Sequence, residues 1–503
     1  MEILETTESI CPDCLKEEKM NKVAAEIIEE DDKIKIKKDC EDHGTFKSVL
    51  FSNPNDYRKW KRYEKEGDTM EEGEVINMSL YEDHKSQPVL TNLTVTNRCN
   101  LRCSYCFLNA GSTGYVYEPS REELEKMIEQ ARKAKPVGSK SIQITGGEPT
   151  VRDDLFEIID MADEKGFVHI QLNTNGIAIA ESEEYAERIA ESPVNTIYLS
   201  FDGVSEGTNP WIEQNKQTIE NLRKAGFKSV VLVPVLSQDN IEEAGDIVRF
   251  AQENIDIVRG VNFQPIAFTG RITEVDDDYR KKMRVDYSEM MGALDEQLGG
   301  ELKREDWYPV PFVYPISKFV ENIQGEKQVE FTAKPECGGA TYAFVEDDKL
   351  LPITRFVDVE GLMKYINRLS EKSGPLKKTR IMTSVMTSLS DYIDSERAPE
   401  GLSLKNILAK ALVKGDYDTL GKFHHRTLYI GSMWFQDAWN LDINRLSSCT
   451  IQYSTPEGMV PFCAYNGLGV GEDIRKKHSV PVEEWEEENG KSIKEELWHG
   501  KLS

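Results

Sequence analysis

From residue 89 onward the chain alternates between two periods of hydrophobicity. Short apolar runs, "VLTNLTVT" (residues 89–96), "KSIQIT", "HIQLNTN", "TIYLSFDG", "SVVLVPVL" and "VRGVNFQPIAF", read as strands. Between them lie segments such as "DDLFEIIDMADEKG", "NKQTIENLRKAG" and "EEAGDIVRFAQEN", whose apolar residues recur every three or four positions and read as helices. The first helix also carries its own start and stop signals. Ser120 is placed to cap it, Glu123 completes a capping box, Leu124, Met127, Ile128 and Ala131 form its apolar stripe, and Pro136 ends it. Short strands alternating with amphipathic helices predict an α/β fold with a parallel sheet and helical crossovers. Six such strands between residues 89 and 268 favour a partial (β/α)6 barrel over an open doubly wound sheet.

Outside that stretch the pattern changes, and four segments are expected. Residues 1–65 form a small metal domain, 66–88 an acidic linker, 89–270 the barrel, and 271–503 a mixed α+β part that holds Cys337, Cys449 and Cys463. A length of 503 residues calls for more than one compact core, and 39% hydrophobic residues are enough to build them. The net charge of -27 repels nucleic acid and anionic membrane surfaces at long range, so no nucleic-acid partner is expected. No apolar stretch behind basic residues opens the chain, and no run approaches the roughly 18 apolar residues of a membrane span, so a cytoplasmic location is expected. One segment tempers this. Residues 402–415, "LSLKNILAKALVKG", are amphipathic and locally basic, a surface helix first and a membrane-docking helix second, which adds peripheral contact at the inner face of the membrane.

The nine cysteines are odd in number and clustered, which disfavours a disulfide framework and points to metal. Cys99, Cys103 and Cys106, spaced C-x3-C-x2-C, directly follow the first barrel strand, where the ligand-binding loops of parallel barrels lie. Buried small side chains or an incomplete zinc site are the alternatives. Three thiolates in such a loop suit three irons of a four-iron cluster, leaving the fourth open to a small chelator. With Tyr105 before the last cysteine, the motif resembles the radical S-adenosylmethionine (SAM) superfamily. That resemblance implies a [4Fe-4S] cluster whose open iron binds SAM and cleaves it to a 5'-deoxyadenosyl radical. It also implies an electron donor such as ferredoxin or flavodoxin.

After the second strand, "GGEP" offers Gly146 and Gly147 for close backbone approach, Glu148 as an acceptor for an ammonium, and Pro149 to complete the turn. In that superfamily this motif meets the amino group of the cofactor. Asn173 and Asn175 in "NTNG", and Ser200 and Asp202 in "SFDG", fall where its ribose and carboxylate contacts lie, although ordinary caps and turns account for them equally well.

Cys11, Cys14, Cys40 and His43, in "CPDC…CEDHG", have knuckle spacing for one mononuclear ion, iron or zinc. Glycine beside Cys337, and a hairpin through Pro456, Glu457 and Gly458 between Cys449 and Cys463, suggest an auxiliary [4Fe-4S] cluster, with isolated buried thiols as the alternative. The aromatic stretches "YPVPFVYPISKFV" and "GSMWFQDAW" suit either a core or an apolar tunnel.

Taken together, "CPDC…CEDHG", "CNLRCSYCFLNAG", "GGEPTVRDDL", "LNTNGI", "VRGVNFQPIAFTGR", "YIGSMWFQDAWN" and "PFCAYN" resemble the archaeal tetraether lipid synthases, many of which carry an older label as pterin-methylating enzymes. The resemblance implies carbon-carbon bond formation between terminal methyl carbons of isoprenoid chains of archaeal ether lipids. The first alkyl radical would be held on the auxiliary cluster at Cys337, Cys449 and Cys463. Two loops at the barrel mouth, "SEGTNPWIEQNKQ" and "LSQDN", are shorter than in those synthases, which leaves open whether two lipids are bridged or one is closed into a macrocycle. A radical methylase acting on a pterin precursor and a non-catalytic iron-sulfur electron carrier are the alternative functions.

Overall fold

A computed structural model of the chain describes residues 1–71, 73–76, 79–111, 113–373, 377–399 and 426–498. The segment 402–415, read above as an amphipathic helix, lies outside the described residues. No helix among them is long and apolar enough to cross a membrane.

The chain begins with an antiparallel meander of four strands in sequence order, β1 (Glu2–Ile10), β2 (Lys22–Glu30), β3 (Lys33–Cys40) and β4 (Gly44–Phe51). A five-residue helix, α1 (Pro12–Lys16), sits in the first connection and α2 (Pro54–Lys61) follows the last strand. In β3 every second residue turns inward, so Ile34 and Ile36 are fully buried while Lys33 points to solvent. That inner face shares one continuous core with the barrel. Trp60 on α2 is the wedge between them: its ring centre lies 5.6 Å from Phe51 on β4 and 5.0 Å from Tyr287 of the C-terminal part.

The six expected strands are present and parallel: β5 (Leu90–Thr96), β6 (Ser141–Gly146), β7 (His169–Thr174), β8 (Thr196–Ser200), β9 (Val230–Val233) and β10 (Val258–Pro265), each hydrogen-bonded to the next. A buried row crosses the sheet, Leu93 beside Ile144, Leu172, Ile197, Val230 and Val258 in turn, so a single apolar layer sets the register of all six strands. The helix expected after the first strand forms at Arg121–Lys133, with the Ser120–Glu123 capping box in place.

Residues beyond 270 extend this same sheet at both edges. Beyond β10, at one edge, β11 (Gly338–Glu346) pairs antiparallel with β12 (Thr427–Met433), and β12 runs parallel to β10. At the opposite edge β13 (Ile451–Thr455) runs parallel to β5 and turns back through the expected hairpin into β14 (Gly458–Pro461). The result is an open, curled half-barrel, a partial barrel as the alternation of strands and helices predicted, with eight parallel strands at its centre.

Trp60→Ala should lower the unfolding free energy by about 3–5 kcal/mol, because it empties the space between ribbon and barrel. Denaturant unfolding of the two proteins measures this, and a loss below about 1 kcal/mol would show that the wedge is dispensable.

Candidate active site and metal centres

The loops that leave β5, β6, β7, β8 and β10 lie on one rim of the half-barrel, and the first carries Cys99, Cys103 and Cys106. Cys99 is buried, and the other two are half-buried. The backbone N–H groups of Leu101 and Ala110 point at the sulfurs of Cys99 and Cys106, each at 3.4 Å, as a thiolate requires. Burial, reinforced by the neighbouring Cys106, pushes the Cys103 thiol up to about 12, and burial raises Cys99 as well. Buried thiols raised in this way, as Cys99 and Cys103 are, ionise only against a strong local cation, which is the condition an iron cluster meets.

Arg271, four positions after Ala267 on the loop leaving β10, locks the cysteine loop from outside. Its guanidinium donates to the carbonyls of Cys103 (2.5 Å) and Ala110 (2.8 Å), and its backbone N–H donates to the Cys106 carbonyl (3.0 Å). The preceding Gly270 has φ +63°, and a Cβ there would collide with the carbonyls of Cys106 and Phe107. No role was assigned to this pair from sequence, although "TGR" directly after the last barrel strand was its visible signal.

The two glycines of "GGEP" do approach another chain segment closely, and that segment is protein backbone. A Cβ on Gly146 would meet the Thr96 carbonyl, and one on Gly147 the Arg98 carbonyl. Gly147 N–H donates to Thr96 O (2.8 Å) and Glu148 N–H to Arg98 O (2.9 Å), so the glycines press the glutamate loop against the stem of the cysteine loop. Glu148 is 1% exposed. Its Oε1 accepts from Thr150 N–H, Thr150 Oγ1 and Thr174 Oγ1, and its Oε2 accepts only from Asn175 N–H at 2.8 Å. One acceptor position on Oε2 therefore remains for an ammonium. Pro149 opens the short 3-10 turn that follows Glu148.

Asn173 donates to Thr145 Oγ1 at 3.2 Å. Asn175 donates to Asn100 Oδ1 at 2.7 Å and accepts from Ile177 N–H at 3.0 Å. The Ser200 hydroxyl is half-buried with no protein partner among the described residues. Asp202 accepts from the Tyr105 hydroxyl and from Val235 N–H (2.8 Å), and burial raises it to about 6. Tyr105 thus ties the cysteine loop to the loop after β8.

Cys337, Cys449 and Cys463 converge from β11, β13 and the residues after β14. Arg445, itself buried, donates its Nε–H to the Cys337 sulfur at 3.3 Å, and Gln436 N–H points at the Cys463 sulfur at 3.4 Å. The Cys449 thiol, outweighing burial with help from the Arg445 guanidinium, holds Cys463 down to about 6. Cys449 and Cys463 are buried and Cys337 is half-buried, with N–H groups aimed at two of the three sulfurs. Arg445 and Gln436 were not singled out from sequence. Between the two trios stand Phe107, Phe435 and Phe462, with ring centres 5.5 Å (107–435), 5.2 Å (435–462) and 6.4 Å (107–462) apart. Cys99, Cys449 and Cys463 belong with them to one apolar cluster, against which Cys103 and Cys106 also pack.

The sulfurs of Cys11, Cys14 and Cys40 and Nδ1 of His43 all lie within 4.8 Å of one another. Cys14 and Cys40 sulfurs are 3.8 Å apart, and His43 Nδ1 is 3.4–3.7 Å from all three sulfurs. Tetrahedral coordination with metal-sulfur bonds of about 2.3 Å sets sulfurs about 3.8 Å apart, so the site has the dimensions of a single ion. Glu17 lies 3.4 Å from His43 Nε2, which orients the ring so that Nδ1 faces the sulfurs.

Residues 93–251 match the radical SAM superfamily, and residues 3–52 match the HMPTM N-terminal zinc ribbon domain, which assigns zinc where the spacing left zinc or iron open. A Methanocaldococcus jannaschii protein described as 7,8-dihydro-6-hydroxymethylpterin dimethyltransferase is 41% identical over 95% of this chain and 96% of its own. A probable GTP 3',8-cyclase of Methanothermobacter thermautotrophicus is 32% identical over 37% of this chain and 54% of its own. A solved radical SAM methyltransferase from Sphaerobacter thermophilus shares 15% identity, with a TM-score of 0.31 over 55% of this chain and 74% of that one.

Replacing Cys14 with Ala should remove about one zinc per chain, as measured by elemental analysis of the full-length protein, and leave its iron content unchanged. Zinc retained at the wild-type level would overturn the ligand set.

Proposed function

Because the chain belongs to the radical SAM superfamily, and within it to the family of the 41% identical methanogen protein, we propose that it is a radical SAM enzyme that joins terminal methyl carbons of isoprenoid chains in archaeal ether lipids. The observation that carries the reading is the aromatic partition. Phe107, Phe435 and Phe462 meet within an apolar cluster that includes Cys99, Cys449 and Cys463 and against which Cys103 and Cys106 pack. Such surroundings offer a polar substrate few partners and an alkyl chain no desolvation cost.

When bound, SAM and a [4Fe-4S] cluster supply hydrogen abstraction from unactivated carbon. The residues of the chain do the rest. Cys99, Cys103 and Cys106 would hold the cluster, and Arg271 fixes their loop through the carbonyls of Cys103, Cys106 and Ala110. Glu148 Oε2 orients the ammonium of the cofactor, and Asp202, bonded to Tyr105, holds the third loop in place. The three phenylalanines exclude water from the path between the two sites. Cys337, Cys449 and Cys463, backed by Arg445, would hold an auxiliary cluster that takes up the first alkyl radical. A ferredoxin or flavodoxin supplies the electrons, and the apolar substrate draws the protein to the inner face of the membrane.

The likeness to the methanogen dimethyltransferase supports a second reading, methyl transfer to a pterin precursor by the same radical chemistry. Mass spectrometry of lipids and pterins from a host expressing this chain separates the two. The lipid reading expects species with chains joined tail to tail, and methylated pterin in place of joined chains would sink it.

Cys449→Ala or Cys463→Ala should still transfer deuterium from a terminally labelled chain into 5'-deoxyadenosine. Joined product should fall by at least the ~100-fold that loss of a supporting hydrogen bond costs a metal site. Coupling at the wild-type rate in both variants would remove the auxiliary thiols from the mechanism.

A further inference from the structure

A cavity of about 360 Å³ lies between the N-terminal ribbon and the helices that follow the barrel strands, and its walls are basic in a chain of net charge -27. Lys33 and Lys35 on β3, with Lys47 and Ser48 on β4, form one wall. Arg280, on a short helix at Asp277–Met283, and Arg284 just after it form the other.

Several of these charges are already paired. Lys35 and Lys47 both reach Glu30, at 3.1 and 2.8 Å, Arg280 and Lys281 share Asp277, and Arg284 meets the fully buried Asp437 at 2.6 Å. The acids at the far side, Asp286 and Glu289, are turned to capping the helix that starts at Tyr287, with Asp286 also accepting from Ser52. Four donor atoms are left over. Ser48 Oγ, Arg280 Nε, Arg284 Nε and Arg284 Nη1 are buried without a hydrogen-bond partner among the described residues, on residues whose exposure is only 4%, 3% and 8% in that order. Lys33 is exposed and pairs with no acid among the described residues.

Unsatisfied buried donors on two guanidinium groups are penalties that an anionic acceptor would remove. These donors come from two chain segments, β4 and residues 280–284, and Lys33 on β3 adds a cation from a third. That suits the three or more acceptor oxygens of a tetrahedral oxyanion better than the two of a planar carboxylate. The cavity is also larger than a bare phosphate ion needs. We propose that it binds the phosphate group of a phosphate ester. Its place in the molecule is suggestive in chemical terms: the Arg284 guanidinium lies 5.0 Å from the ring centre of Phe268, which belongs to the apolar cluster that holds the cysteine sites. An amphiphile with a phosphate head would have its polar end here and its chain directed towards that cluster. The site stands independently of the lipid reading, since a soluble phosphate ester satisfies the same donors.

Full-length protein titrated at constant ionic strength with inorganic phosphate and with glycerol phosphate, against chloride, tests the site by calorimetry and thermal unfolding. Phosphate and its ester should bind and raise the unfolding midpoint. Arg280→Gln should weaken binding about tenfold or more, and Ser48→Ala and Lys33→Ala several-fold each. Without phosphate the last two variants should be at least as stable as wild type, which keeps the test valid if Arg280→Gln fails to fold. Vesicles of a phosphodiester-headed ether lipid, against vesicles of a sugar-headed one lacking phosphate, separate the sources. Phosphate-dependent sedimentation that Ser48→Ala weakens assigns the site to a headgroup, and binding of the free ester alone assigns it to a soluble ligand. Protection by chloride equal to that by phosphate, or wild-type affinity in Ser48→Ala and Lys33→Ala, would overturn the proposal.

Discussion

Two backbone hydrogen bonds, from Gly147 N–H to Thr96 O and from Glu148 N–H to Arg98 O, fasten the loop leaving β6 to the stem of the cysteine loop leaving β5. Adjacent parallel strands lie only about 4.8 Å apart, so their exit loops must either part or touch, and here they touch because residues 146 and 147 have no side chain. Everything polar on the rim is referenced to that contact. Glu148 is carried into the buried position where Thr150, Thr174 and Asn175 hold it, and Asn175 in turn reaches Asn100 in the cysteine loop. Arg98, at the same junction, is gripped by Glu118 and Glu496 and lies 4.4 Å from the Trp485 ring centre, so the last described stretch of the chain closes over the loop from the outside. The cysteines are presented by a frame of backbone contacts.

The ribbon and the second cysteine trio are linked through residues 434–446. Lys38, fully buried on β3, donates to Ala438 O at 2.7 Å, Ser9 to Leu441 O at 2.6 Å, and Thr7 to Asp442 at 2.6 Å. The same segment supplies Gln436 to Cys463 and Arg445 to Cys337. A zinc in the ribbon site would therefore be a fastener at one remove from the second site, because it would shape the β1–β2 turn, whose strands hold the segment that orients the sulfurs.

Features with a short sequence period were the legible ones. The six barrel strands, the Ser120 capping box and the hairpin at residues 455–458 all declare themselves within a dozen residues, because alternation, caps and turns are local. The ribbon site was legible for the same reason, its ligands falling in two knuckles. The edges of the sheet were not. β12 and β13 read as isolated apolar runs, and nothing near them records that their partners are β10 and β5, far back along the chain. Arg271 and Arg445 were missed because a cation inside a protein of alternating charges has no pattern of its own; only the carbonyls and sulfur they meet give them meaning. The glycines of "GGEP" were identified as a close approach, but against a ligand, and the partner proved to be backbone that spacing cannot reveal.

The supply of both outer parallel strands by the far end of the chain has a consequence for how the molecule comes into being. Leu90 waits for Ile451, roughly 360 residues later. At about 5–20 residues per second of synthesis, that is on the order of twenty seconds to over a minute with β5 as a bare edge. Such an edge is a template for pairing with another chain, and long-range pairings of this kind fold slowly. The interval is also the time during which the cysteine loop, not yet covered by residues 480–498, stands open to the cell's iron-sulfur carriers. Late completion of the sheet thus exposes the nascent chain to misassembly and at the same time sets the window for its maturation.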